Sequence, residues 1–217
     1  MGMYGYVRQM GPFELASYRR NPQAIKQLLD EETMQVFPPE LRLAVARMQE
    51  LLVSGRQNSA AGRELEARIQ ELSSGPESEE SLLLARAEMD EKRLDLGKSW
   101  HLLHYLLTGS ADSAPPPLGN AILGGTPIGP DLGYGPARFL TPRQVAEVAE
   151  ALAAIEPAEL TQRFDPVAIE RADIYTYGAI VRSEAFEEEH YLQRFGTLVN
   201  YYVDAARNGN GMLLYIR

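Results

Sequence analysis

Apolar positions along the chain fall into two kinds of run, and each predicts its own element. Residues 2–9 carry Tyr4, Tyr6 and Val7 in a short alternating stretch that reads as a strand. Gly11-Pro12 then opens a helix with proline at its first position, anchored by Phe13 and Leu15. Asn21-Pro22 repeats the device, with Asn21 as the cap and Ile25, Leu28 and Leu29 as an apolar stripe. Residues 38–95 predict two or three consecutive helices. Pro39 starts the first, Leu41, Val45, Met48 and Leu52 fall at helical spacing, and Gly55 ends it. Residues 55–64 are weakly apolar and read as a loop. Leu65, Ile69 and Leu72 mark a second, highly charged helix, and Glu79 to Arg93 a third.

Asp95 to Gly109 predicts a central helix in which Trp100, Leu103, His104 and Leu107 share one face. A glycine- and proline-rich stretch follows from Ser110 to Pro136 and reads as a long irregular segment, of the kind that is functional or mobile. Phe139 to Ile155 predicts the clearest helix, with a capping box at Thr141-Pro142-Arg143-Gln144. Short helices follow at Pro157–Phe164 and after Asp165-Pro166, and an extended stretch at Ile174–Val181. A long helix from Glu184 to Arg207 ends at Asn208-Gly209, ahead of a closing strand at Met212–Ile216. Strands are few, so the pattern predicts a helix-rich α+β fold. It is one domain over residues 1–217, with a small sheet formed by the terminal strands and a helical insertion at about 35–92.

Composition narrows the function classes. With 217 residues and 45% hydrophobic positions, the chain can bury a core without disulfides or metal. The absence of cysteine removes thiolate metal sites and a cysteine nucleophile, and fits a cytoplasmic setting. No apolar run approaches the ~20 residues that span a bilayer, and no secretory leader is recognisable. The net charge of −9 opposes contact with a phosphate backbone, so no nucleic acid and no membrane are expected as partners. The same charge suits a basic protein partner.

Candidate chemistry is sparse. His104 sits on the apolar face of the central helix, where it is either a core histidine tied to a carbonyl or carboxylate, or a pocket histidine facing the 109–136 loop. His101 and His104 are spaced i, i+3, and His190 is the remaining histidine; convergence on a metal lacks a third ligand. Neither a nucleophile elbow nor a phosphate-binding loop occurs. Arg138, beside the glycine-rich segment, could meet an anion. Asp95 reads as a helix cap. Glu187, Glu188 and Glu189 read as a solvated first helical turn and as candidates for contacting a partner.

The pattern Asp95-x-x-Lys98-x-Trp100-x-x-Leu103-His104-x-x-Leu107-Thr108-Gly109 resembles the signature helix of the YfbM-like family, bacterial proteins of unknown function. Met1-Gly2-Met3-x-Gly5-Tyr6, Ala121-x-Leu123-Gly124 and the closing Asn208-Gly209-Asn210 with its strand are similar as well. Residues 35–92 depart from the shorter relatives. The resemblance implies an α+β domain in the bacterial cytoplasm and no established activity; Trp100, His104, Thr108 and Gly109 carry over as signature positions. It also implies, weakly, a place among immunity proteins that sit beside antibacterial toxins. Two functions are therefore expected: a non-catalytic binding protein that neutralises a basic toxin, or a small-molecule-binding protein or enzyme with a pocket at His104 and the 109–136 loop. The ligand-binding candidates are Trp100, His104, Thr108 and Arg138, with no cofactor, metal or catalytic group assigned.

Overall fold

The computed structural model describes residues 2–35, 39–74, 93–175 and 188–217. The chain divides into two compact units, Met1–Lys26 with Lys92–Arg217, and Gln27–Glu91.

In the first unit, five strands form one sheet in the order β2-β1-β5-β4-β3, with every neighbouring pair antiparallel. These are β1 (Gly5–Met10), β2 (Arg93–Gly97), β3 (Thr126–Asp131), β4 (Pro136–Leu140) and β5 (Gly211–Ile216). The terminal strands do pair, Tyr6 opposite Tyr215 and Val7 opposite Leu214. Three further strands widen the sheet beyond what the sequence pattern predicts. Arg93–Gly97 reads as helix in the pattern because Leu94 and Leu96 run into the apolar stripe of the next element; their two-residue spacing is that of a strand. Asp95 is therefore not a helix cap: it lies in β2, and its carboxylate accepts from the Gly97 amide at 2.7 Å. β3 was hidden by Pro127, Gly129 and Pro130, residues tolerated on an edge strand because its outer side needs no N–H. Phe139 and Leu140 belong to β4, and Thr141 separates strand from helix.

One face of this sheet is covered by α5 (Trp100–Thr108), α6 (Pro142–Ala153) and α9 (Glu188–Arg207). Val7, Leu96, Met212 and Leu214 from the strands meet Leu103, Leu106, Val148, Leu152, Leu198 and Tyr202 from the helices. The capping box at α6 forms as the sequence predicts: Thr141 Oγ1 accepts from the Gln144 amide, and the Gln144 side chain reaches back to the Thr141 amide at 2.9 Å. α7 (Pro157–Arg163) and α8 (Pro166–Arg171) each start at a proline, the second capped by Asp165. Arg194 of α9 donates to the Asp95 carbonyl of edge strand β2 at 2.6 Å. On the other face, α1 (Pro12–Arg20) contributes Leu15 and the Glu14 carboxylate, which pairs with buried Arg8 at 2.9 Å.

α2 (Ala24–Gln35) starts two residues after Pro22 rather than at it, with Asn21 and Pro22 spent in a turn. The second unit pairs α3 (Pro39–Val53) with α4 (Ala60–Ser74). α4 begins within the stretch that reads as a loop. Ser59 caps it, its hydroxyl accepting from the Gly62 amide. Arg68 bridges the two helices through Glu40 at 3.2 Å. The predicted helix at Glu79–Arg93, apart from Arg93 itself, and most of the extended stretch at Ile174–Val181 lie outside the described residues.

Candidate binding cleft

The site is built on α5. Six of its residues are buried: Trp100, Leu102, Leu103, His104, Leu106 and Leu107. Gly109 ends it at φ 74°, a left-handed conformation that favours glycine. Thr108 supports the same ending. Its Oγ1 donates to the His104 carbonyl one turn back at 2.7 Å and accepts from the Ser110 amide at 3.1 Å.

The i, i+3 histidines turn out to be a pair of clamps. His101 Nε2 lies 2.8 Å from the Ala111 carbonyl and His104 Nε2 lies 2.7 Å from the Asp112 carbonyl. A carbonyl only accepts, so both rings carry their proton on Nε2. His101 Nδ1 correspondingly accepts from the Tyr175 amide at 2.8 Å. Successive histidines on one helix thus hold successive carbonyls of the segment that leaves it. Three more side chains pin that segment further along. Tyr202 donates to the Ala121 carbonyl at 2.9 Å, Asn120 accepts from the Gly125 amide at 3.0 Å, and Arg138 donates to the carbonyls of Gly124 and Gly125, both at 3.0 Å. The stretch from Ser110 to Gly125 therefore lacks extended secondary structure, beyond a single 3-10 turn at Leu118–Ala121, yet is tied down along its length.

Between this segment and the ends of β4 and β5 lies a cleft of about 350 Å³. Ile122, Leu123, Leu214 and Ile216 give it an apolar lining, while Asp112, Ser113, Tyr134 and Arg138 bring polar groups to it. Of the sequence candidates, Arg138 lines the cleft. Trp100 and Thr108 do not, and His104 is wholly buried behind it, acting on the cleft through the Asp112 carbonyl. Glu187 lies outside the described residues, as do the side chains of Glu188, Glu189 and His190. Asp112, Tyr134 and the end of β5 were not foreseen. Nothing local in the sequence marks them, because long-range contacts bring them together: the pairing of β4 with β5, and the His104 bond that holds the Asp112 carbonyl. No three acidic or imidazole side chains among the described residues converge as a metal site.

Burial pushes the His104 imidazole below its ordinary value of 6.5, against the opposing pull of the Asp112 carbonyl. Its Nδ1 is buried with no partner among the described residues, so a second ring proton would have no acceptor. The folded state thus holds His104 neutral, while the unfolded chain takes up a proton as pH falls below 6.5. Stability is full above that pH and declines as pH falls from there towards the depressed folded value. His104→Ala is expected to cost about 2–3 kcal/mol near neutral pH through lost packing and an orphaned carbonyl. It should also flatten the fall of the urea midpoint below pH 6.5. An unchanged slope in the variant would show that another group titrates.

Among known proteins, the chain is similar to the solved structure of YfbM from Escherichia coli, itself of unknown function, at 20% identity over 99% of each chain with a TM-score of 0.47. No curated protein matches it. The domain of unknown function DUF1877 matches residues 1–215. With the signature helix, the opening glycines and the closing strand in place, the chain belongs to the DUF1877 family, the YfbM-like proteins.

Proposed function

We propose that this is a non-catalytic binding protein of the bacterial cytoplasm that takes a small ligand in the cleft beside Arg138. One observation carries the reading: a concave, partly apolar space whose walls are hydrogen-bonded in place before any ligand arrives. Preorganised clefts of this kind lose little entropy on binding. The histidines support binding over chemistry. Both Nε2 atoms are committed to backbone carbonyls, which leaves neither ring placed as a general base for a molecule in the cleft. No described helix is long and apolar enough to cross a membrane.

A second reading, neutralisation of a basic antibacterial toxin, is favoured by the net charge of −9. One experiment addresses both. Methyl NMR spectra of the protein are recorded with a chemically mixed fragment set and, separately, with the purified product of the neighbouring gene. Fragment hits are expected to shift Ile122, Leu123, Leu214 and Ile216. Hits confined to other surfaces would overturn the cleft reading. A toxin partner would instead perturb a broad acidic surface at near-stoichiometric concentration, and an unchanged spectrum would count against it.

A further inference from the structure

Neither of the two charged residues that line the cleft has a salt-bridge partner among the described residues. Arg138 spends Nε and one hydrogen of Nη2 on the carbonyls of Gly124 and Gly125, and forms no salt bridge among the described residues. Its remaining N–H groups have no acceptor among the described residues, and the residue is half-buried. Asp112 is fixed through its backbone, its carbonyl held by His104 and its amide by the Ser110 hydroxyl at 3.2 Å. The residue is exposed, and its carboxylate has no salt-bridge partner among the described residues either. Both residues line the same cleft, yet they do not pair with one another. Ile122, Leu123, Leu214 and Ile216 line the same cleft with apolar groups.

An unpaired cation and an unpaired anion in one partly apolar cleft are complementary to a molecule carrying the opposite charges on an apolar body. We propose that the cleft binds a small zwitterion with an apolar body, of the amino-acid or dipeptide class, its carboxylate meeting the free edge of Arg138 and its ammonium meeting the Asp112 carboxylate. This rests on the cleft reading above and names its ligand. A volume of about 350 Å³ lies at the small end of ligand sites and suits such a molecule better than a larger metabolite. Arginine supplies the bidentate geometry that a carboxylate prefers. His104 is a positioning residue here: it fixes the backbone from which the Asp112 side chain extends, without touching the ligand.

The test compares L-leucine and L-phenylalanine with two blocked forms, N-acetyl-L-leucine, which lacks the ammonium, and L-leucinamide, which lacks the carboxylate. Binding is read by calorimetry and by the cleft methyl shifts. The zwitterions are expected to bind at least tenfold more tightly than either blocked form. Asp112→Asn leaves the described hydrogen bonds of the backbone intact, so it should fold. It is expected to weaken L-leucine about tenfold while leaving N-acetyl-L-leucine unchanged, erasing the discrimination. Equal binding of the zwitterion and a blocked form, or no binding of either zwitterion, would overturn the proposal. If the blocked forms or the fragment set still shift the cleft methyls, the cleft survives as a binding site for another ligand class. If nothing shifts them, both readings fall together.

Discussion

Trp100→Ala is expected to lower the stability of the fold by about 4 kcal/mol, and with it the midpoint of thermal unfolding by about 12 °C. Trp100 is the first residue of α5 and is buried against the sheet, with its indole stacked on His101 at 4.6 Å and on Tyr175 at 6.1 Å. Truncation opens a cavity beneath the helix and removes one side of the His101 ring's packing. His101 is the residue that joins the Ala111 carbonyl to the Tyr175 amide. The damage should therefore spread to both segments, and hydrogen exchange at the Tyr175 amide should quicken more than at amides of β4. Equal acceleration everywhere would show only a global loss of stability.

Gly5→Ala should be nearly as costly, at about 3 kcal/mol, for a reason that lies in the same contact. A Cβ on Gly5 would come within 2.7 Å of Trp100 Cγ, and closer still to Trp100 Cβ. The second atom is attached directly to the helix backbone and cannot swing away. The glycine is thus required by close approach between β1 and the start of α5, not by its dihedral angles. The two variants can be told apart by combining them. Removing the indole does not remove the Trp100 Cβ, so Trp100→Ala should fail to rescue Gly5→Ala, and thermal melts of the double variant should fall below either single variant. Recovery of stability in the double variant would place the steric conflict on the ring instead.

The sequence made some of this legible and hid the rest for identifiable reasons. Proline and capping signals located the starts of α1, α3, α6, α7 and α8, because those signals act within four residues. The apolar stripe of α5 correctly announced a buried helix, and it identified His104 as a residue that must find a partner. What failed was the boundary before it, where a strand runs into a helix through a continuous apolar run, and the edge strand β3, whose prolines mimic a loop. The segment from Ser110 to Gly125 looked irregular and is irregular; its rigidity was invisible because the side chains that pin it come from α5, β4 and α9. Arg138, which stands out in the sequence as an arginine beside glycines, lines the cleft. Asp112 carries no such local mark, since it shares that cleft with a residue 26 positions away.

The two borders of the sheet bear on how the molecule can meet others. At β2 a guanidinium from α9 already occupies the Asp95 carbonyl, and at β3 two of six residues are prolines that offer no amide. One spent carbonyl on the first border and two missing amides on the second make each a poorer template for an added strand, whether from a partner or from a second copy in a fibre.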